Sequence, residues 1–210
     1  MSASERRAER RAKLMAAAFE LLGTEGWAGT TVRSVCARAR LTPRFFYESF
    51  ADLDALAVAV FDDVVQDTTA HVLVAVAEAV RDRPDDRLAQ ARAAIETVVH
   101  DLTDDPRRAR IVFVEALGNE ALARRRLEAM RTLAQLIAMH GRASFGSTPA
   151  DEGLVEVTAS LLAGGLAELL ILWLDGELPV TPEQLIEDCS ELFVATGESA
   201  ARIARARARA

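Results

Sequence analysis

The chain has 210 residues, half of them apolar, enough for one sizeable core or for a small and a medium domain. A net charge of −7 excludes a protein covered by nucleic acid over its whole surface. The charge is uneven, however: residues 1–50 hold nine Lys or Arg and five acids, a net of +4, whereas residues 51–210 carry −11, the pattern of a modular DNA binder.

Helical periodicity dominates and strand alternation is absent. The first expected helix runs from about Glu5 to Gly23, with Leu14, Ala18, Leu21 and Leu22 as its apolar stripe; Gly23 and Gly26 end it. Trp27 then closes a small core. Thr30 or Thr31 caps a short helix, Val32 to Ala39. Thr42 caps the next, with Pro43 at the first helical position, where a missing N–H is harmless. A long helix from Asp52 keeps three-four apolar spacing through Leu56, Val60, Phe61 and Val64 toward Val80, and Arg83-Pro84-Asp85 breaks it.

Further helices follow: about Asp86 to Leu102, Asp105-Pro106 to Gly118, Asn119 to about Ser144, and Thr148-Pro149 to near Asp175-Gly176. Thr181-Pro182-Glu183-Gln184 reads as a capping box for the last one. The expectation is an all-α fold of about nine helices. From Leu154 to Trp173 the chain is apolar almost all round, and a helix of that kind needs cover on every side. Leu161, Leu162, Gly165, Leu172 and Trp173, with Leu185, Cys189, Leu192 and Phe193 on the last helix, are therefore the candidate interface of a four-helix homodimer. An ordinary buried core helix is the alternative.

The stretch from Thr30 to Phe50 reads as two short helices joined by a tight turn. An Arg near the start of the second, with Tyr47 one turn later, suits a helix whose N-terminal end enters the major groove. Arg44 is the candidate base reader, able to offer two parallel hydrogen bonds to O6 and N7 of a guanine; a solvated Arg balancing Glu48 is the competing reading. Thr31, Arg33, Arg40, Thr42 and Tyr47 are candidate phosphate contacts, beside Pro43 in the same segment. Phe45 and Phe46 cannot both be buried: Phe46 is expected in the core, and Phe45 exposed as a candidate DNA contact to a thymine methyl group. Arg6, Arg7, Arg10 and Arg11 form either an arm reaching the adjacent groove or a solubilising tail.

Other chemistry finds no pattern. Cys36 and Cys189 fit no metal spacing, suit a reduced compartment and read as core residues. His71, His100 and His140 show no ligand spacing, so no metal and no cofactor is expected. No nucleophile elbow, phosphate-cradling glycine loop or paired-carboxylate motif points to an enzyme. The N-terminus is charged where a signal peptide is apolar, and the run Leu161 to Leu174 is short for a bilayer and contains Glu168. A cytoplasmic protein with no membrane partner is expected.

Residues 8–65 resemble the tetracycline-repressor (TetR) family of bacterial transcriptional regulators. The residues that carry the resemblance are Gly26-Trp27, Thr30-Thr31-Val32, Thr42 and Tyr47-Glu48-Ser49-Phe50. The combination is specific; no single element suffices. The resemblance implies a helix-turn-helix DNA-binding domain over residues 1–51 and a helical effector-binding and dimerisation domain over residues 52–210. It implies a regulator, expected to be a repressor, released from a near-palindromic double-stranded operator by a small apolar or amphipathic effector. By analogy with the family, Phe113, Met130, Ile137 and Leu169 are candidate lining residues for that effector, and Glu115, His140 and Glu168 its candidate polar partners. The alternatives are an activator or ligand-independent regulator, or a dimeric ligand-binding or scaffold protein with weakened DNA binding. Two departures motivate the last: Arg40 stands where the family turn usually has Gly, and Leu53 where it often has Lys. A left-handed Arg40 costs about 1 kcal/mol.

Overall fold

The computed structural model describes residues 2–146 and 151–209; the helix start expected at Thr148-Pro149 lies outside them. The described residues are helical with no strand, running α1 (Ala3–Thr24), α2 (Gly26–Gly29), α3 (Val32–Ala39), α4 (Pro43–Tyr47), α5 (Leu53–Asp82) and α6 (Arg87–Asp104). Then come α7 (Pro106–Ala109), a π-helical stretch (Arg110–Glu115), α8 (Ala116–Gly118), α9 (Glu120–Phe145), α10 (Glu152–Leu174) and α11 (Pro182–Arg207). If Pro106 to Gly118 is counted as one broken helix, the single turn α2 is the one addition to the expected set. The chain divides into two compact units, Met1–Thr68 with Asp101–Arg126, and Thr69–His100 with Leu127–Ala210.

The caps form where the sequence places good capping residues. Asp105 accepts from Arg107 N–H at 3.1 Å and Asn119 from Leu122 N–H at 2.9 Å. Thr181 and Gln184 close the capping box of α11 in both directions. A second box, Ser2 with Glu5, starts α1 ahead of the expected Glu5.

In the first unit the head is built on Leu14, Ala18, Leu21 and Leu22 of α1, Val35 and Cys36 of α3, and Phe46 and Phe50, all buried. Leu56, Ala57, Val60, Phe61 and Val64 of α5 are buried as their spacing predicts. The same unit ties α5 to residues 101–126 through polar groups. Arg108 donates to Val64 C=O and Thr68 Oγ1, and Asn119 Nδ2 donates to Asp54 Oδ1 at 2.8 Å.

The head is also fixed to the π-helical stretch. The buried carboxylate of Glu115 accepts from Trp27 N–H at 2.7 Å and from Arg110 Nε at 2.9 Å. Arg110 Nη1 in turn donates to Thr24 C=O at 2.8 Å. One acid thus satisfies an orphan N–H at the start of α2, and one guanidinium satisfies an orphan carbonyl at the end of α1. The glycines follow from this approach as much as from the turn. Gly26 has φ +77°, and a Cβ there would sit 2.7 Å from Arg110 Nη2. Gly23 lies inside α1, where a Cβ would meet the Arg107 side chain at 2.4 Å.

Glu115→Ala leaves the part-buried Trp27 N–H and the Arg110 Nε without their acceptor, so it should cost about 2 kcal/mol in urea unfolding. Gly26→Ala combines a positive φ with a clash against the Arg110 and Glu115 side chains and should cost at least about 1 kcal/mol in the same assay.

Candidate nucleic-acid interface

The turn between α3 and α4 carries the structural cost that its sequence predicts. Arg40 has φ 55° and ψ 42°, in the left-handed region, and is the non-glycine residue with positive φ among the described ones. Arg40 N–H donates to Ala37 C=O at 3.2 Å and Leu41 N–H to Cys36 C=O at 2.9 Å, the double bond of a Schellman cap with Arg in the glycine position. Thr31 caps α3 in a reciprocal box with Ser34, while Thr30 is buried and donates to Gly26 C=O. Thr42 stands at the N-cap of α4 with extended backbone, but its hydroxyl makes no capping bond. The expected cap is therefore a position only: Phe45 N–H, which a capping hydroxyl would hold, donates to the Thr42 carbonyl at 3.0 Å instead.

Phe46 is fully buried, edge-on to Tyr47 at 5.3 Å and tilted against Phe50 at 6.0 Å between centroids. These rings seat α4 on the head and leave its other face outward. Thr42, Pro43, Arg44 and Tyr47 are exposed, with Thr31, Arg33 and Arg40 exposed on and beside α3. The Arg44 side chain is 84% exposed, and its Nε donates to Glu48 Oε1 at 3.1 Å. A pair this open adds about 0.3–0.5 kcal/mol to the helix.

Of the N-terminal basic cluster, Arg7, Arg10 and Arg11 lie on α1 and reach α4 and the residues that follow it. Arg7 Nη2 donates to Glu48 C=O at 2.6 Å, and Arg10 Nη2 lies 3.5 Å from Glu48 Oε2. The Arg10 guanidinium covers the Phe45 ring at 4.6 Å, and Arg11 covers Phe50 at 4.3 Å. Phe45 is consequently half-buried where full exposure is expected from spacing alone. These contacts join residues some forty positions apart, and local sequence carries no sign of them.

The effector candidates separate between the units. Phe113 is buried in the first unit, beside Glu115 with its carboxylate already engaged. Met130, Ile137, His140, Glu168 and Leu169 belong to the second. There His140 is exposed with Nε2 3.3 Å from Ser144 Oγ, and Glu168 faces outward. A surface pocket of about 200 Å³ in the second unit lies among Arg83, Asp86, Leu88, Ala89, Arg92, Glu187, Ser190 and Glu191; no effector candidate lines it. Burial raises the thiol pKa of both Cys36 and Cys189, which suits packing rather than redox chemistry.

The candidate interface residues also divide. α10 packs on α11, and Ala159, Ala163, Leu166, Ala167 and Leu170 of the first and Leu185, Ile186 and Cys189 of the second are buried within the single chain. Leu162, Leu172, Trp173 and Phe193 are half-buried, and Trp173 Nε1 donates to Val180 C=O at 3.0 Å. Leu161 and Gly165 are exposed, as is Leu192 on α11. By length and composition α10 is also long and apolar enough to cross a membrane.

Two short helices joined by a tight turn, with a seated α4 and an outward Arg44, define a helix-turn-helix head in an all-helical protein. Residues 14–60 match the model of the family described as bacterial regulatory proteins, tetR family. The fold extends the likeness over nearly the whole chain. A transcriptional regulator from Pseudomonas aeruginosa PAO1 superposes with a TM-score of 0.74 at 20% identity, covering 94% of each chain. The fatty acid degradation regulator FadR from Bacillus halodurans gives 0.70 at 15% identity, over 88% of this chain and 94% of its own. The multidrug binding protein EbrR, solved with imidazole, gives 0.64 at 22% identity, over 87% and 94%. Comparison with curated protein sequences finds no match.

Arg40→Gly should raise the unfolding free energy by about 1 kcal/mol, since glycine adopts the left-handed turn without a Cβ penalty. Denaturant unfolding of the two proteins side by side measures it.

Proposed function

We propose that the protein is a cytoplasmic, homodimeric transcriptional repressor that places α4 of each subunit in the major groove of a near-palindromic operator. The observation that carries this reading is α4 itself. Buried Phe46 and Phe50 hold it on the head, while Thr42, Arg44 and Tyr47 stand outward on the face that meets DNA. Arg44 reads a guanine; Thr31, Arg33, Arg40, Thr42 and Tyr47 bind phosphates. The usual Lys is absent at Leu53, so one phosphate contact fewer is made there and the salt dependence is slightly flatter.

The dimer rests on α10 and α11. Val157 and Leu161 are each 66% exposed and Leu192 is 59% exposed, on helices whose other faces are packed. A Cβ at Gly164 or Gly165 would meet nothing within 4 Å in the single chain, which leaves room for close approach of a second copy. Release follows from linkage. A small apolar or amphipathic effector need only prefer a conformation whose two α4 helices no longer match the half-site spacing. The names of the fatty acid degradation regulator and the multidrug binding protein among the structural relatives support an effector of that class.

Arg44→Ala should lose about 1–3 kcal/mol of operator discrimination in equilibrium binding and still sediment as a dimer. Unchanged discrimination would place the base contact elsewhere. Leu161→Asp together with Leu192→Asp should yield a folded monomer in sedimentation, with operator affinity lost; a dimer that persists would move the interface off this face.

A further inference from the structure

We infer that Glu48 is a positioning residue for base reading: it orients Arg44 for end-on recognition of guanine and discounts non-specific binding. The inference rests on the proposed reading role of Arg44. Three observations converge on Glu48. Its Oε1 accepts from Arg44 Nε at 3.1 Å. Its Oε2 lies 3.5 Å from Arg10 Nη2. Its own backbone carbonyl is held by Arg7 Nη2 at 2.6 Å. The acid is thus anchored from α1 on two sides, and it anchors Arg44 in turn.

The choice of guanidinium atom matters. An Arg can meet guanine side-on through Nε and one Nη, or end-on through both Nη groups. With Nε given to Glu48, the two terminal groups remain for O6 and N7, and the planar fork is fixed before DNA arrives. An unrestrained Arg, 84% exposed, would swing to the nearest phosphate as readily as to a base. The carboxylate adds a second effect. At 37% exposure beside the outward face of α4, it repels phosphates wherever Arg44 has no base to compensate. Both effects raise specificity at the expense of non-specific affinity. Folding gains little from so open a pair, so a change in stability does not account for the result.

The test uses the full-length protein and the duplexes that the wild type enriches from a random pool, with each position then varied. Glu48→Ala, Glu48→Gln and Arg44→Ala are compared at several salt concentrations. The expected result for Glu48→Ala is about a tenfold loss of guanine preference at the base pair where Arg44→Ala also loses it. Non-specific affinity rises at the same time, with unchanged melting temperature. Glu48→Gln, which keeps an acceptor for Arg44 Nε without the charge, should retain most of the preference and still bind non-specific DNA more tightly. If Arg44→Ala loses the preference and Glu48→Ala keeps it, the inference is wrong and the reading role of Arg44 stands. A loss from Glu48→Ala at a different base pair would make Glu48 a reader in its own right and also overturns the inference. If Arg44→Ala changes nothing, the recognition reading falls and the inference with it.

Discussion

The Glu115 carboxylate, bonded at once to Trp27 N–H and Arg110, holds together the part of the molecule on which the head depends. It is buried, so both hydrogen bonds act in a medium where a missing partner is costly. Around it the chain gives way. Gly26 adopts a positive φ, Gly23 leaves room for Arg107, and α1 ends where Arg110 can take the Thr24 carbonyl. Trp27 N–H is an otherwise orphaned donor at the beginning of the one-turn α2, and α2 sets the entry of α3. The π-helical turn widens the helix by one residue per turn and brings Arg110 and Glu115, five apart in sequence, onto one carboxylate–guanidinium contact.

From this anchor the head is built outward by aromatic and basic side chains. Phe46 and Phe50 seat α4 from below, and Arg7, Arg10 and Arg11 of α1 hold it from the side. α4 is only five residues long and could not persist alone. Its rigidity is tertiary. That division of labour leaves Arg44 outward with only its open pair to Glu48, while Tyr47 packs edge-on to Phe46 and still stands exposed. The basic excess of the first fifty residues has the same double use: part of it clamps α4, and part remains on α3 and α4 facing solvent.

Much of this was legible in the sequence because its signals are local. Caps at Thr31, Asp105, Asn119 and Thr181 follow from side chains that bond within a turn. The buried face of α5 follows from spacing, and the left-handed Arg40 from the resemblance, which puts Arg40 where the family turn usually has Gly. What escaped depends on distant partners. The π-helical stretch has no composition of its own and exists where Glu115 must reach Trp27. Arg7 and Arg10 read as a loose basic arm until Glu48 and Phe45 arrive from forty residues downstream. Thr42 has the residue type of a cap, yet Phe45 N–H donates to its carbonyl rather than to its hydroxyl. Leu185 and Cys189 belong to an apolar stripe that is already buried within the single chain.

The central claim is that a pair of α4 helices reads DNA sequence with two-fold symmetry. Selection of bound duplexes from a random pool, by the purified full-length protein at physiological salt, tests it most directly. The account predicts enrichment of an inverted repeat with a guanine in each half-site. A folded protein that binds the pool without enriching any sequence contradicts it.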